Sequence, residues 1–125
     1  MKDLLKSTSC ILELAKLGDA IINYMFSVSL TLCFRKPVGI KVRNYVLRKA
    51  FKENNLGEKL GMKKMPANVK PEDLVEAITA MLWLEGKIDT EKVIEFMVSN
   101  CKNMPYDKAE EIVADMLIKY ISSIL

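Results

Sequence analysis

Asp73 and Glu76 stand three residues apart in KPEDLVEAITAMLWLEG, a spacing that puts both carboxylates on one face of a helix. A third acid, Asp19, follows Gly18 within LAKLGDAIINYMFSVSLTLCF, where most other residues are apolar. Glycine inside a helix costs about 0.5–1 kcal/mol relative to alanine. A carboxylate buried alone is expensive, so Asp19 must reach water, a cation or a partner. Each feature also has a plainer reading. Glu72 and Asp73 suit the first turn of a helix, where the macrodipole favours acids. Asp19 suits a helix edge, and Gly18 suits close helix packing. Glu76 resists such a reading, because it lies more than a turn in, between Val75 and Ala77.

The composition removes other chemistries. Histidine is absent, which excludes a histidine general base, Ser-His and Cys-His nucleophiles and most zinc sites. Cys10, Cys33 and Cys101 are odd in number and form no C-x-x-C pair, so reduced thiols in a cytosol are expected. The eight methionines read as core filling, and no organic cofactor is expected. Residues 1–9 are polar and offer no signal peptide. The longest uncharged run, Ala20–Phe34, is 15 residues, below the roughly 18 of a spanning helix. The expectation is a cytoplasmic protein that does not engage a membrane.

The elements that must position the acids all read as helices. The first is expected from a cap at Thr8 or Ser9 to about Phe34, ended by Pro37 and Gly39. A second spans about Lys41 to Asn54, with Val42, Tyr45, Val46 and Phe51 on its buried stripe. Residues 56–70 read as a short helical turn and a basic loop. Pro71 opens a third long helix that Gly86 ends. Asp89 or Thr90 caps a fourth, to about Asn100. Asp107 with Glu110 resembles a capping box opening a fifth. An all-α single domain over residues 1–125 follows.

Charge is distributed in blocks. Residues 35–70 carry 11 Lys/Arg against Glu53 and Glu58, whereas residues 71–125 carry 5 Lys against 11 acids. The basic centre is either a surface for a polyanion or a face that pairs with the acidic half.

Taken together, these stretches resemble the endonuclease domain of the ribonuclease III family. The family's signature helix reads roughly E-R-L-E-F-L-G-D-A, beside L-E-L-A-K-L-G-D-A from Leu12 to Ala20. Its second motif, roughly A-D-x-V-E-A-L-I-G-A-x-F-L-D, is similar to residues 72–85, and GIKVRNYVLRKAF matches an intervening basic helix. The likeness spans about residues 10–100, and the RNA-binding domain that often follows in the family is not expected here.

The resemblance implies that Asp19, Asp73 and Glu76 converge as catalytic, metal-binding carboxylates for Mg²⁺ or Mn²⁺. Gly18 would then make room for the partner helix. It implies hydrolysis of double-stranded RNA to 5′-phosphate ends, with Lys41, Arg43, Arg48, Lys49, Lys63, Lys64 and Lys70 as candidate RNA contacts. It also implies a homodimer, consistent with the apolar run Ile22, Met25, Phe26, Val28, Leu30, Leu32 and Phe34. One departure stands out: Ala15 occupies the place of a metal-binding glutamate, and Leu12 that of the other signature acid. Two alternatives follow, a domain that binds structured RNA without cutting and a helical interaction or DNA-binding module. The acidic last helices argue against the latter.

Overall fold

The computed structural model describes residues 7–125, so the six residues that open the polar N-terminal segment lie outside the described residues. Helix α1 (Thr8–Phe34) starts at Ser7, whose Oγ accepts from the Cys10 N–H at 3.4 Å, one residue before the expected caps. Its buried residues Ile11, Ala15, Gly18, Ile22, Met25, Ser29 and their neighbours recur every three or four positions. This stripe lies on α4 (Pro71–Leu84), which is buried nearly throughout. The two helices are the centre of the molecule. By length and composition α1 resembles a membrane span, yet its apolar stripe is spent on α4 and α5.

The other helices cover this pair. Helices α2 (Asn44–Glu53) and α6 (Ala109–Ile124) pack on each other, and α2 also meets α4. The short α3 (Leu56–Lys59) follows α2, and α5 (Thr90–Ser99) lies along α1. The Asp89 carboxylate caps α5 by accepting from the Glu91 and Lys92 N–H groups. Pro71 occupies the first turn of α4 as expected, and Gly86, at φ +73°, ends its C-terminal turn. Among the described residues there is no strand, so the all-α expectation holds.

Three expectations change. Helix α2 begins at Asn44, because residues 38–42 run extended along α1. Tyr45 is exposed rather than buried, and Arg43 stacks over its ring, 4.9 Å from the centroid. Asp107 and Glu110 make no capping box: a 3₁₀ turn spans Tyr106–Lys108, and the Glu110 carboxylate is taken by Arg43.

The thiols also depart from expectation. Cys33, in the last turn of α1, is joined to Cys101, just beyond α5, by a disulfide, and Cys10 is free. Packing α5 along α1 brings two cysteines 68 positions apart to a Cα separation of 6.2 Å. No spacing rule in the sequence signals such a meeting. Closing a loop of this length stabilises the fold by about 4 kcal/mol on the chain-entropy account.

The apolar circumference of α1 does not imply a partner by itself. Ile22, Met25, Phe26 and Leu30 are consumed by the chain's own core. Of that run Leu32 stays exposed, and further apolar surface is left by Leu17 and Tyr24 on α1 and by Trp83 and Leu84 at the end of α4. Tyr24 and Trp83 line one shallow cavity with Ala20, Ile21 and Thr90.

Candidate active site

The crossing of α1 and α4 is set by the absence of a side chain. A Cβ on Gly18 would stand 1.8 Å from the backbone carbonyl oxygen of Glu76, far inside any allowed contact. Glycine is thus obligatory where the helices touch backbone to backbone. Asp19, the next residue, is carried to the edge of that crossing and lies within hydrogen-bonding reach of the Glu76 carboxyl. The expected role of Gly18 is what the structure shows.

Glu76 is buried, with 7% of its surface exposed. Its carboxyl is pushed from 4.5 up to about 8. Burial is the largest cause, followed by the hydrogen bond and negative charge of Asp19 and the charge of Asp73, with Lys41 opposing. Such a carboxyl carries its proton at neutral pH unless a cation compensates it.

Asp73 belongs to the same neighbourhood but is engaged locally. Its Oδ2 accepts from the Lys70 N–H at 3.0 Å, so it caps its own helix. The plain reading of a first-turn acid therefore describes its side chain as placed. Asp19 is likewise engaged: the Lys41 Nζ lies 3.3 Å from Oδ1 and 3.1 Å from Oδ2. Among the described residues, no three acidic or cysteine side chains stand together ready to hold a metal ion.

The donor chemistry still fits a hard divalent cation. Asp19 and Glu76 offer oxygen ligands at one spot, where burial and the neighbouring carboxylates raise Glu76 and the Lys41 ammonium offsets only part of that. Asp73 acts on that spot through its charge. Ala15, one turn before Asp19, is buried on the α1 stripe and adds no ligand.

The candidate RNA contacts divide into two groups. Lys41 is committed to Asp19, Arg43 to Glu110 at 3.0 Å, and Lys49 to Glu111 at 3.2 Å. Arg48 makes a two-pronged pair with Glu72, Nε to Oε1 at 3.1 Å and Nη2 to Oε2 at 2.6 Å. Glu72 is 1% exposed. Burial raises its carboxyl, but the Arg48 hydrogen bond and charge outweigh that and leave it below the usual range. Moving Arg48 to a phosphate would strand a buried carboxylate, so it fastens α2 to the start of α4. Arg43 and Lys49 take the alternative foreseen for the basic block, pairing with acids of α6.

Lys63, Lys64 and Lys70 differ. They are exposed in the 61–70 segment and make no salt bridge among the described residues. That segment leads into α4 and its acids, and Ala67 in it accepts from the Thr8 hydroxyl at 3.3 Å.

Sequence reasoning missed the strap formed by residues 38–42. The Thr31 Oγ1 accepts from the Val38 N–H at 2.8 Å, and the Ser27 Oγ accepts from the Ile40 N–H at 3.0 Å. The Asn23 Oδ1 accepts from the Val42 N–H at 2.8 Å. Two residues of extended chain advance about 6.6 Å and four of helix about 6 Å, so the two ladders keep step. The signal was present as Asp19, Asn23, Ser27 and Thr31, spaced by four along an apolar helix, facing the alternation in VGIKVR.

Residues 12–125 match the family model for ribonuclease III. With nearly the whole chain covered, the protein belongs to the ribonuclease III family. No match is found among curated proteins.

Proposed function

We propose that this protein is a metal-dependent endoribonuclease that hydrolyses phosphodiester bonds in double-stranded or structured RNA, leaving 5′-phosphate ends. The observation that carries the proposal is the Asp19–Glu76 carboxyl pair fixed at a backbone-to-backbone helix crossing, with Asp73 acting on it. Asp19 and Glu76 would hold the ion, with Asp73 as the third carboxylate. A bound Mg²⁺ or Mn²⁺ supplies an activated water and charge neutralisation at the leaving oxygen. Loading requires Glu76 to give up its carboxyl proton, so metal affinity rises with pH up to about 8.

The family membership supports RNA as the ligand. Lys63, Lys64 and Lys70 are the residues we assign to phosphate contact beside the acids. Lys63→Ala with Lys64→Ala is expected to weaken duplex-RNA binding and to flatten the slope of log affinity against log salt by roughly 2. Affinities measured at several salt concentrations check this; an unchanged slope moves the RNA surface elsewhere. We further propose a homodimer through the exposed Leu17, Tyr24, Trp83 and Leu84 surface.

The deciding experiment incubates long duplex RNA with the protein in Mg²⁺ or in EDTA. Cleavage is expected in Mg²⁺ alone. Asp19→Asn, nearly isosteric, is expected to keep the fold and RNA binding but cut at least about a hundredfold more slowly, roughly 2.7 kcal/mol in barrier. Ala15 and the engagement of Asp19 by Lys41 favour a second reading, an RNA-binding domain without cleavage. Tight RNA binding with no cutting in Mg²⁺ or Mn²⁺ selects that reading.

A further inference from the structure

We propose that Lys41 is the resident counter-ion of the carboxylate site, held on Asp19 by the strap and competing with a divalent cation for that carboxylate. The inference rests on the metal-binding reading above and adds a residue that controls loading. Lys41 is exposed over 75% of its side chain, and a lysine so placed ordinarily wanders in solvent. Here the backbone on either side of it is fixed. Ile40 is bonded through both its N–H and its C=O to the Ser27 hydroxyl, and the Val42 N–H donates to Asn23. Val38 is gripped in the same two-way fashion by Thr31.

These bonds fix the register between strap and helix. Val42 is buried, and Val38 and Ile40 pack against the core, so Lys41 is left on the outer side. Its ammonium reaches both oxygens of Asp19, at 3.3 and 3.1 Å. Those are the oxygens a divalent ion must use. A cation already on them lowers the affinity for a second one, and its departure leaves an ammonium beside the loaded site. Because the pair is solvent-exposed, displacing the ammonium costs little, so Lys41 tunes loading without blocking it.

The experiment is Mn²⁺ titration calorimetry on the RNA-free protein. Lys41→Ala is expected to tighten Mn²⁺ binding about three- to fivefold, the range open to an exposed ion pair. Lys41→Arg should restore the wild-type affinity, since a guanidinium can take the same carboxylate. Combining Lys41→Ala with Asp19→Asn should abolish the gain. Lys92→Ala, which removes an exposed α5 lysine that makes no salt bridge among the described residues, should leave affinity unchanged.

Equal Mn²⁺ affinity in wild type and Lys41→Ala overturns the inference while leaving the metal reading intact. An equal gain from Lys92→Ala also overturns it, as a general charge effect. If wild-type protein binds no Mn²⁺, or Asp19→Asn binds it unchanged, the metal reading itself fails and the inference falls with it.

Discussion

Gly18→Ala is expected to destabilise the protein by more than about 3 kcal/mol, although alanine is the better helix former by roughly 1 kcal/mol. The two effects oppose, and the magnitudes decide. The added methyl group would meet the Glu76 carbonyl oxygen at 1.8 Å, which is backbone on a buried helix and cannot swing aside. Helices α1 and α4 must separate, opening the interface on which the core is built. Urea unfolding followed by circular dichroism measures the loss. The Asp19–Glu76 pair should part as well, so a variant that still folds should lose the elevated Glu76 titration. A Gly18→Ala protein as stable as wild type would show that the helices do not cross at this point.

The second large effect is a dependence of stability on pH. Glu76 holds its proton up to about 8 in the folded state but only to about 4.5 when free in water. Between these values the native state binds the extra proton, so stability falls as pH rises. The contribution is complete below pH 4.5 and is lost on passing through pH 8. From pH 5 to pH 8 in EDTA, Glu76 should withdraw on the order of 3–4 kcal/mol. Glu76→Gln keeps the shape of the neutral acid and removes the titration. The variant should match wild type near pH 5 and exceed it clearly at pH 8. Mg²⁺ should restore the wild type at pH 8 by binding the native state, and should do little for the variant. A constant difference between the two proteins over this range would mean that Glu76 is not held among other carboxylates.

The central architecture was legible because it depends on local signals. Pro71, the early acids and Gly86 delimit α4, and apolar periodicity delimits α1. The Gly18–Asp19 pair was legible as an anomaly, a costly residue beside a charged one in an apolar helix, and its resolution lies in the α4 backbone. What escaped were meetings between distant segments. The alternation in VGIKV is too short to declare a strand by itself, and the segment is a strap only because Asn23, Ser27 and Thr31 satisfy its backbone. The basic block hid a division that only packing reveals. Arg48 is drawn in by the buried Glu72, Arg43 and Lys49 by α6, and the lysines at 63 and 64 stay in solvent. Asp73 carries both of the readings its sequence position allows, for its carboxylate caps α4 and its charge acts on Glu76.

The bond between Cys33 and Cys101 turns the middle of the chain into a covalent ring from which the rest of α1 and the whole of α6 hang as two tails. The strap, α2 and the exposed 61–70 segment all lie inside that ring. A protease that nicks the chain at Lys63 or Lys64 therefore opens the circle without releasing a fragment. Both pieces stay tethered, Asp19 on one and Glu76 on the other, and they separate only when the sulfur link is reduced. From Cys33 onward the two halves of the carboxylate pair are thus linked by two covalent routes, and losing either one leaves the other.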